Sequence, residues 1–148
     1  MACGDAGTPK AVVGQAAPAF VLDPLDGGRA MSLASFQGRP VILTFFASWC
    51  LPCKRELPLF LAAQGRHPEI ALVGIVFKDE PVPARLFHNG IGGGWPALLD
   101  PGGKVATAYS VNGIPRTYFI GKDGVLRDVR VGETDAADLE RRVALITT

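Results

Sequence analysis

The sequence predicts a single α/β domain, a central mixed sheet with helices on both faces, and three observations carry that expectation. Val41 to Phe46 and Ile70 to Phe77 are apolar at nearly every position, as strands covered on both sides are. Leu51 to Gln64 places Leu57, Phe60 and Leu61 at helical core spacing between those two runs. Near the C-terminus, Thr117 to Ile120 and Val125 to Val131 flank Lys122-Asp123-Gly124, which reads as a strand-turn-strand hairpin. The 148 residues suffice for one core and not for two.

Residues 1–14 read as a tail of small and polar residues, and 15–148 as the domain. Phe20 and Leu22 alternate before the turn Asp26-Gly27-Gly28, and Met31 and Leu33 resume the apolar run, which predicts an N-terminal β-hairpin. Gly38-Arg39-Pro40 punctuates the entry to the first buried strand. Pro58 lies inside the long helix, where it removes the bond to the Lys54 carbonyl and is expected to kink the axis. Pro83 to His88 reads as a short helix, Gly90 to Pro96 as a loop, Ala97 to Leu99 as a short strand and Lys104 to Tyr109 as a helix. Thr134 is expected to cap a last helix through Ile146, with Leu139 and Val143 on its apolar side.

Composition excludes several function classes. Hydrophobic residues make up 48% and charged residues 20%, which is globular rather than disordered. Fifteen Lys plus Arg against fourteen Asp plus Glu leave a net charge of +1, so no basic field points to nucleic acid. The most apolar run, Val41 to Ala47, is far too short to cross a membrane. Met1 to Lys10 has no apolar core of a signal peptide. Met1-Ala2-Cys3-Gly4 nevertheless fits the mature end of a lipoprotein, with Cys3 as the lipid-bearing residue.

The chemistry centres on Trp49-Cys50-Leu51-Pro52-Cys53, between a buried strand and a helix start. Free N–H groups and the macrodipole at a helix N-terminus favour negative charge, so Cys50 is expected to ionise more readily than a free thiol. Cys53, three positions on, lies one turn inward within reach of Cys50. Pro52 in the first turn stiffens the pair. This arrangement suits thiol–disulfide exchange: an exposed Cys50 attacks, and Cys53 resolves the mixed disulfide. A structural zinc site is the alternative, but Cys3, His67 and His88 lack ligand-like spacing, and no metal or cofactor is expected. A second signal is Ile114-Pro115 before a strand, a candidate cis bond. It would leave the Ile114 N–H and C=O free to pair with an extended substrate segment beside Cys50.

These segments resemble the thioredoxin fold, and within it the TlpA/ResA/CcmG (DsbE) branch of thiol–disulfide oxidoreductases. The resemblance spans about Val13 to Val143. It rests on Gly14 to Phe20, Leu33 to Pro40, Phe45 to Cys53, Lys54-Arg55-Glu56-Leu57-Pro58 and Gly113 to Ile120. It implies an N-terminal β-hairpin and a βα insertion before the Pro115 segment. It also implies work outside the cytoplasm, often tethered to a membrane, on the cysteines of apocytochrome c, with a membrane thiol–disulfide donor restoring the dithiol. Thr44 occupies the place of the buried Asp of ordinary thioredoxins and cannot accept a proton from Cys53. Asp79, at the end of the next strand, is the better-aligned candidate relay. Glu56, one turn beyond Cys53, is a second candidate, for which a structural role competes. Trp49 is a candidate substrate contact, and Trp95 reads as core or loop packing. An oxidase introducing disulfides into secreted proteins is the rival reading. A peroxiredoxin is a weaker one, since that class needs Thr where this chain has Ala47.

Overall fold

The computed structural model describes residues 10–148. Its centre is a five-stranded sheet of order β5-β4-β3-β6-β7, with β3 Val41–Phe46, β4 Ala71–Val76, β5 Ala97–Leu98, β6 Arg116–Ile120 and β7 Leu126–Val131. β3, β4 and β5 run parallel, and β6 and β7 continue antiparallel, so the sheet is mixed as expected. The N-terminal hairpin pairs β1 Val21–Leu22 with β2 Met31–Ser32 as a separate two-stranded ribbon. The helices are α1 Leu51–Arg66, α2 Pro81–Gly90, α3 Lys104–Ala108 and α4 Ala136–Ala144.

All six residues of β3 and of β4 are buried, because each strand is covered on both faces. Alternation assigns the faces. Ile42, Phe46, Leu72, Val76 and Phe119 join a core with Leu57, Phe60 and Ala63 of α1, Ala84 of α2, and Leu139 and Val143 of α4. Val41, Leu43, Phe45, Val73, Ile75, Tyr118 and Ile120 face the opposite core, with Phe20, Phe36, Tyr109 and Val105 and Ala106 of α3. Thr44 and Thr117 lie opposite one another in the β3–β6 register and are joined through their hydroxyls at 3.2 Å. A buried polar pair is thereby satisfied within the sheet.

Several boundaries differ from expectation for local reasons. α2 starts at Pro81 rather than Pro83, since a proline in the first turn loses no helical bond. α4 is capped by Asp135, whose side chain accepts the Asp138 N–H at 2.8 Å, and not by Thr134. The regular helix ends at Ala144, and the bonds Leu145 N–H to Arg142 and Ile146 N–H to Val143 tighten one more turn that buries Ile146. α1 runs on through Pro58 to Arg66. Residues 11–14, read as tail, carry hydrogen bonds from Ala11 N–H to the Ala108 carbonyl and from Gly14 N–H to the Leu126 carbonyl.

Trp95 is core. Its indole donates to the Ile91 carbonyl at 2.9 Å, and its ring meets Phe46 and His88 edge to face. Gly74 of β4 makes room for it: a Cβ there would stand 2.5 Å from Trp95 Cζ3 and 2.8 Å from Phe46 Cε1. Overpacking of this kind costs about 1–3 kcal/mol. Gly74→Ala is therefore expected to lower the unfolding free energy by about that amount, read from the midpoint of denaturant unfolding with the m-value unchanged.

Candidate active site

β3 ends at Phe46, and the chain turns at once into α1. The Cys50 N–H closes the turn on the Ala47 carbonyl at 3.1 Å, which places Cys50 at the N-cap of α1. Its sulfur accepts the Cys53 N–H at 3.3 Å, the bond an Asn or Ser side chain would accept at that position. Leu51 and Pro52 open the helix, and Cys50 and Cys53 are joined as a disulfide with Cα atoms 5.3 Å apart. When the bond is reduced, the same N–H group and the N-terminal end of a 16-residue helix stabilise negative charge on Cys50. Cys53 sits one turn deeper, in the core between α1 and the sheet.

Cys50 is less open than expected. Only 4% of it is exposed, against 1% of Cys53, because its sulfur lies against the first turn. Its neighbours are the exposed ones: Trp49 at 58% and Leu51 at 63%. Trp49 is oriented by its indole N–H, which donates to the Lys78 carbonyl at 2.9 Å. The Ile114–Pro115 bond is cis. Ile114 packs on the core cluster that contains both cysteines, and neither its N–H nor its C=O has a hydrogen-bond partner among the described residues. The Pro115 carbonyl, by contrast, accepts from Gly132 N–H.

The two acids differ sharply. Asp79 uses Oδ2 to accept the Ser48 N–H at 2.7 Å and Oδ1 to accept the Glu80 N–H at 2.9 Å, so its carboxylate holds the turn before Cys50. Glu56 is buried on the same side of α1 as Cys53, three residues on. Its Oε2 accepts the Thr134 N–H at 2.9 Å, and its Oε1 has no partner. Burial pushes its carboxyl up to about 7, with the Thr134 N–H opposing and the nearby Glu133 charge adding to the rise. The Arg55–Glu133 ion pair at 2.7 Å and the Arg66–Glu140 pair tie the surface of α1 to the β7–α4 turn and to α4. Asp138 fastens the same corner: burial disfavours its charge, but Arg142, Arg130 and Arg141 outweigh that and hold it below the usual range.

The remaining candidates separate from the site. His88 is buried, its ring bonded to the Trp95 carbonyl at 2.6 Å, and His67 closes the C-terminus of α1. Among the described residues no three His, Cys, Asp or Glu side chains form a metal cluster. Cys3 lies outside the described residues. Arg116, which follows Pro115 at the start of β6, donates from Nε to the Tyr118 hydroxyl. Two contacts had no signal in the sequence: the Thr134 backbone on Glu56 and the Lys78 carbonyl on Trp49. Both join residues distant in the chain, and one partner in each is a main-chain group that carries no residue identity.

A redox dithiol at the N-terminus of the helix that follows the central strand, beside a cis-proline loop, defines a thiol–disulfide oxidoreductase of the thioredoxin fold. The chain belongs to the AhpC/TSA family, whose model matches residues 13–129. It is similar to the thiol-disulfide oxidoreductase ResA of Bacillus thuringiensis, with 29% identity over 93% of this chain and 80% of ResA. It is also 37% identical to the thiol:disulfide interchange protein CycY of Rhizobium leguminosarum bv. viciae, over 75% of this chain and 60% of CycY. A secreted disulfide oxidoreductase of Mycobacterium tuberculosis, described as homologous to E. coli DsbE, superposes with a TM-score of 0.75 at 26% identity, covering 84% of this chain and 94% of that one.

Glu56 gives the site a stability signature. The folded protein holds the Glu56 proton more tightly than the unfolded chain does, so it binds more protons between about pH 4.5 and 7. Stability contributed by this group is present below that window, falls as pH rises through it, and levels off above it. Glu56→Gln keeps an acceptor for Thr134 and removes the charge. It is expected to match wild type near the bottom of the window and to exceed it above by up to about 3 kcal/mol. Denaturant unfolding of both oxidised proteins across that pH range measures the difference.

Proposed function

We propose that this protein reduces disulfides of extracytoplasmic proteins, with Cys50 as the attacking thiolate and Cys53 as the resolving thiol. The observation that carries the reading is the Cys50–Cys53 disulfide closed across the first turn of α1, with the Cys50 sulfur as the helix cap. In the reduced protein the Cys50 thiolate attacks one sulfur of a substrate disulfide, forming a mixed disulfide and releasing the other substrate sulfur as thiolate. Cys53 then gives up its proton and attacks the Cys50 sulfur, releasing the second substrate thiol and leaving the Cys50–Cys53 bond. Two electrons pass to the substrate, and a thiol–disulfide donor at the membrane returns them.

Glu56 is the group we assign to accept the Cys53 proton. It shares the buried face of α1 with Cys53 and holds its own proton near neutral pH, where it can take one up and release it again. Asp79 is assigned to hold the Ser48–Cys50 turn, since both its oxygens are engaged by backbone N–H groups. Trp49 supplies an exposed ring beside the sulfur, and Ile114, with Pro115, an open backbone edge to which an extended substrate adds as a strand. The resemblance to the TlpA/ResA/CcmG branch and the likeness to a secreted oxidoreductase support work outside the cytoplasm. Among the described residues no helix is long and apolar enough to cross a membrane, and anchoring through a lipid on Cys3 rests on Met1-Ala2-Cys3-Gly4. Apocytochrome c cysteines awaiting haem are the substrate that the same resemblance favours.

Cys53→Ser is expected to accumulate a mixed disulfide between Cys50 and its protein substrate, visible on non-reducing gels and identifiable by mass spectrometry. Cys50→Ser is expected to abolish both the adduct and exchange. The redox potential of the pair decides direction: a strongly oxidising couple, close to those of disulfide-introducing enzymes, overturns the reductase assignment.

A further inference from the structure

The segment that carries Ile114 has little support of its own. Residues 110–115 join the end of α3 to β6, and the main-chain groups of Asn112, Gly113 and Ile114 form no hydrogen bond with any described residue. Asn112 and Gly113 are exposed, and the Ile114 side chain is half-buried against both cores. A stretch with so few bonds along it keeps one shape chiefly through its ends. Both ends meet at one atom. The Tyr118 hydroxyl donates to the carbonyl of Tyr109, which precedes the segment, and accepts at 2.8 Å from Nε of Arg116, which follows it.

That clamp is anchored in the sheet and not in the segment it holds. Tyr118 is buried, pairs with Leu43 of β3 and Val129 of β7, and sets its ring edge to face against Tyr109 at 5.0 Å and Phe45 at 5.8 Å between centroids. The entry to the segment needs such an anchor. Ser110 has φ 58°, in the left-handed region where residues other than glycine are uncommon, and that conformation persists only where its surroundings fix it. They do so on both sides: Tyr118 holds the Tyr109 carbonyl, and the Val111 N–H bonds the Ala106 carbonyl at 2.8 Å. At the exit, Arg116 pairs with Phe45, next to last in β3, so the segment ends beside the point where β3 passes into the Cys50 turn.

Pairing with an extended peptide requires the Ile114 N–H and C=O to be aligned when the peptide arrives. A segment that wandered would present them only part of the time, and apparent affinity would fall by that fraction. We propose that Tyr118 is a positioning residue for the substrate: its hydroxyl ties the two ends of residues 110–115 together and so holds the Ile114 edge in line for strand pairing. The inference rests on the pairing at Ile114 proposed above. Tyr109 supplies a matched comparison. It is also buried, and its hydroxyl also bonds a main-chain carbonyl, at 2.6 Å, but that carbonyl belongs to Pro18, in the segment before β1.

The test uses reduced protein and short uncharged peptides with one internal disulfide, either unmodified or N-methylated at one of several successive positions around the reactive cysteine. N-methylation removes one strand-pairing donor and leaves the disulfide intact. Exchange converts the protein dithiol to its disulfide and the peptide disulfide to two thiols. Each protein's rates are divided by its own rate with bis(2-hydroxyethyl) disulfide, which has no peptide backbone, so effects on the nucleophile cancel. The wild type is expected to lose about threefold to tenfold at one N-methylated position, the scale of one hydrogen bond. Tyr118→Phe is expected to raise the half-saturating concentration of the unmodified peptide by a similar factor at an unchanged limiting rate, and to lose the discrimination against the N-methylated peptide. Tyr109→Phe is expected to keep both wild-type values. Should Tyr118→Phe not fold, Arg116→Met, which removes the donor at the exit end alone, carries the same expectation. Wild-type discrimination retained in the variant that reports on Tyr118 overturns the inference, as does its loss in Tyr109→Phe. A wild type that treats every N-methylated peptide alike overturns the pairing at Ile114 and the inference with it. A wild type inert toward the small disulfide sinks the oxidoreductase reading itself and is seen separately.

Discussion

A sulfur atom caps a helix, and the site depends on that contact. The first N–H groups of α1 have no partners within the helix, and the Cys53 N–H finds its own in the Cys50 sulfur. One interaction therefore ends the strand–helix turn, sets the distance between the two cysteines and places charge-stabilising dipoles at the nucleophile. It can act only because β3 is buried on both faces and fixed by β4 and β6, which leaves the Ala47–Cys50 turn little room to move. The Ser48 N–H on Asp79 and the Trp49 indole on the Lys78 carbonyl fasten the same turn to the segment between β4 and α2.

Chemistry at a buried second cysteine raises a problem that the cap does not solve. In the proposed cycle Cys53 loses a proton although it is buried, and Thr44, at the sheet position where the resemblance places a thioredoxin carboxyl, is already paired with Thr117. Glu56, the acid proposed to take that proton, stands on α1. Keeping a carboxyl there costs stability once it is ionised, and the corner around it is correspondingly well fastened: Thr134 N–H on its oxygen, Arg55 on Glu133, and three arginines on Asp138. The polar network at the α1–α4 corner thus positions an acid that an apolar core would otherwise exclude.

Much of this was legible in the chain. The double-sided strands, the long helix and the C-terminal hairpin were visible because each has its own periodicity, and Cys50, Cys53 and Pro115 because each lies in a short motif whose spacing carries the geometry. The ends of α2 and α4 were not. Their boundaries turn on which of two prolines opens the helix and on whether Thr134 or Asp135 turns its side chain toward the helix. Asp79 and Glu56 illustrate the same limit. Alignment along the strand favoured Asp79, yet Asp79 is engaged by backbone and Glu56 is the buried acid, a difference that burial and not residue type creates.

By itself the sequence pointed to the class of chemistry: two thiols three residues apart, between a buried strand and a helix start, suit thiol–disulfide exchange. It determined the sheet as well, since a strand apolar on both faces must be covered twice. Tertiary structure decided which acid is buried on the Cys53 face of α1, how little of Cys50 meets solvent, and which groups hold the turn before it. Those properties are set by solvent exclusion and by main-chain donors brought together from distant segments, and neither is written in any single stretch of residues.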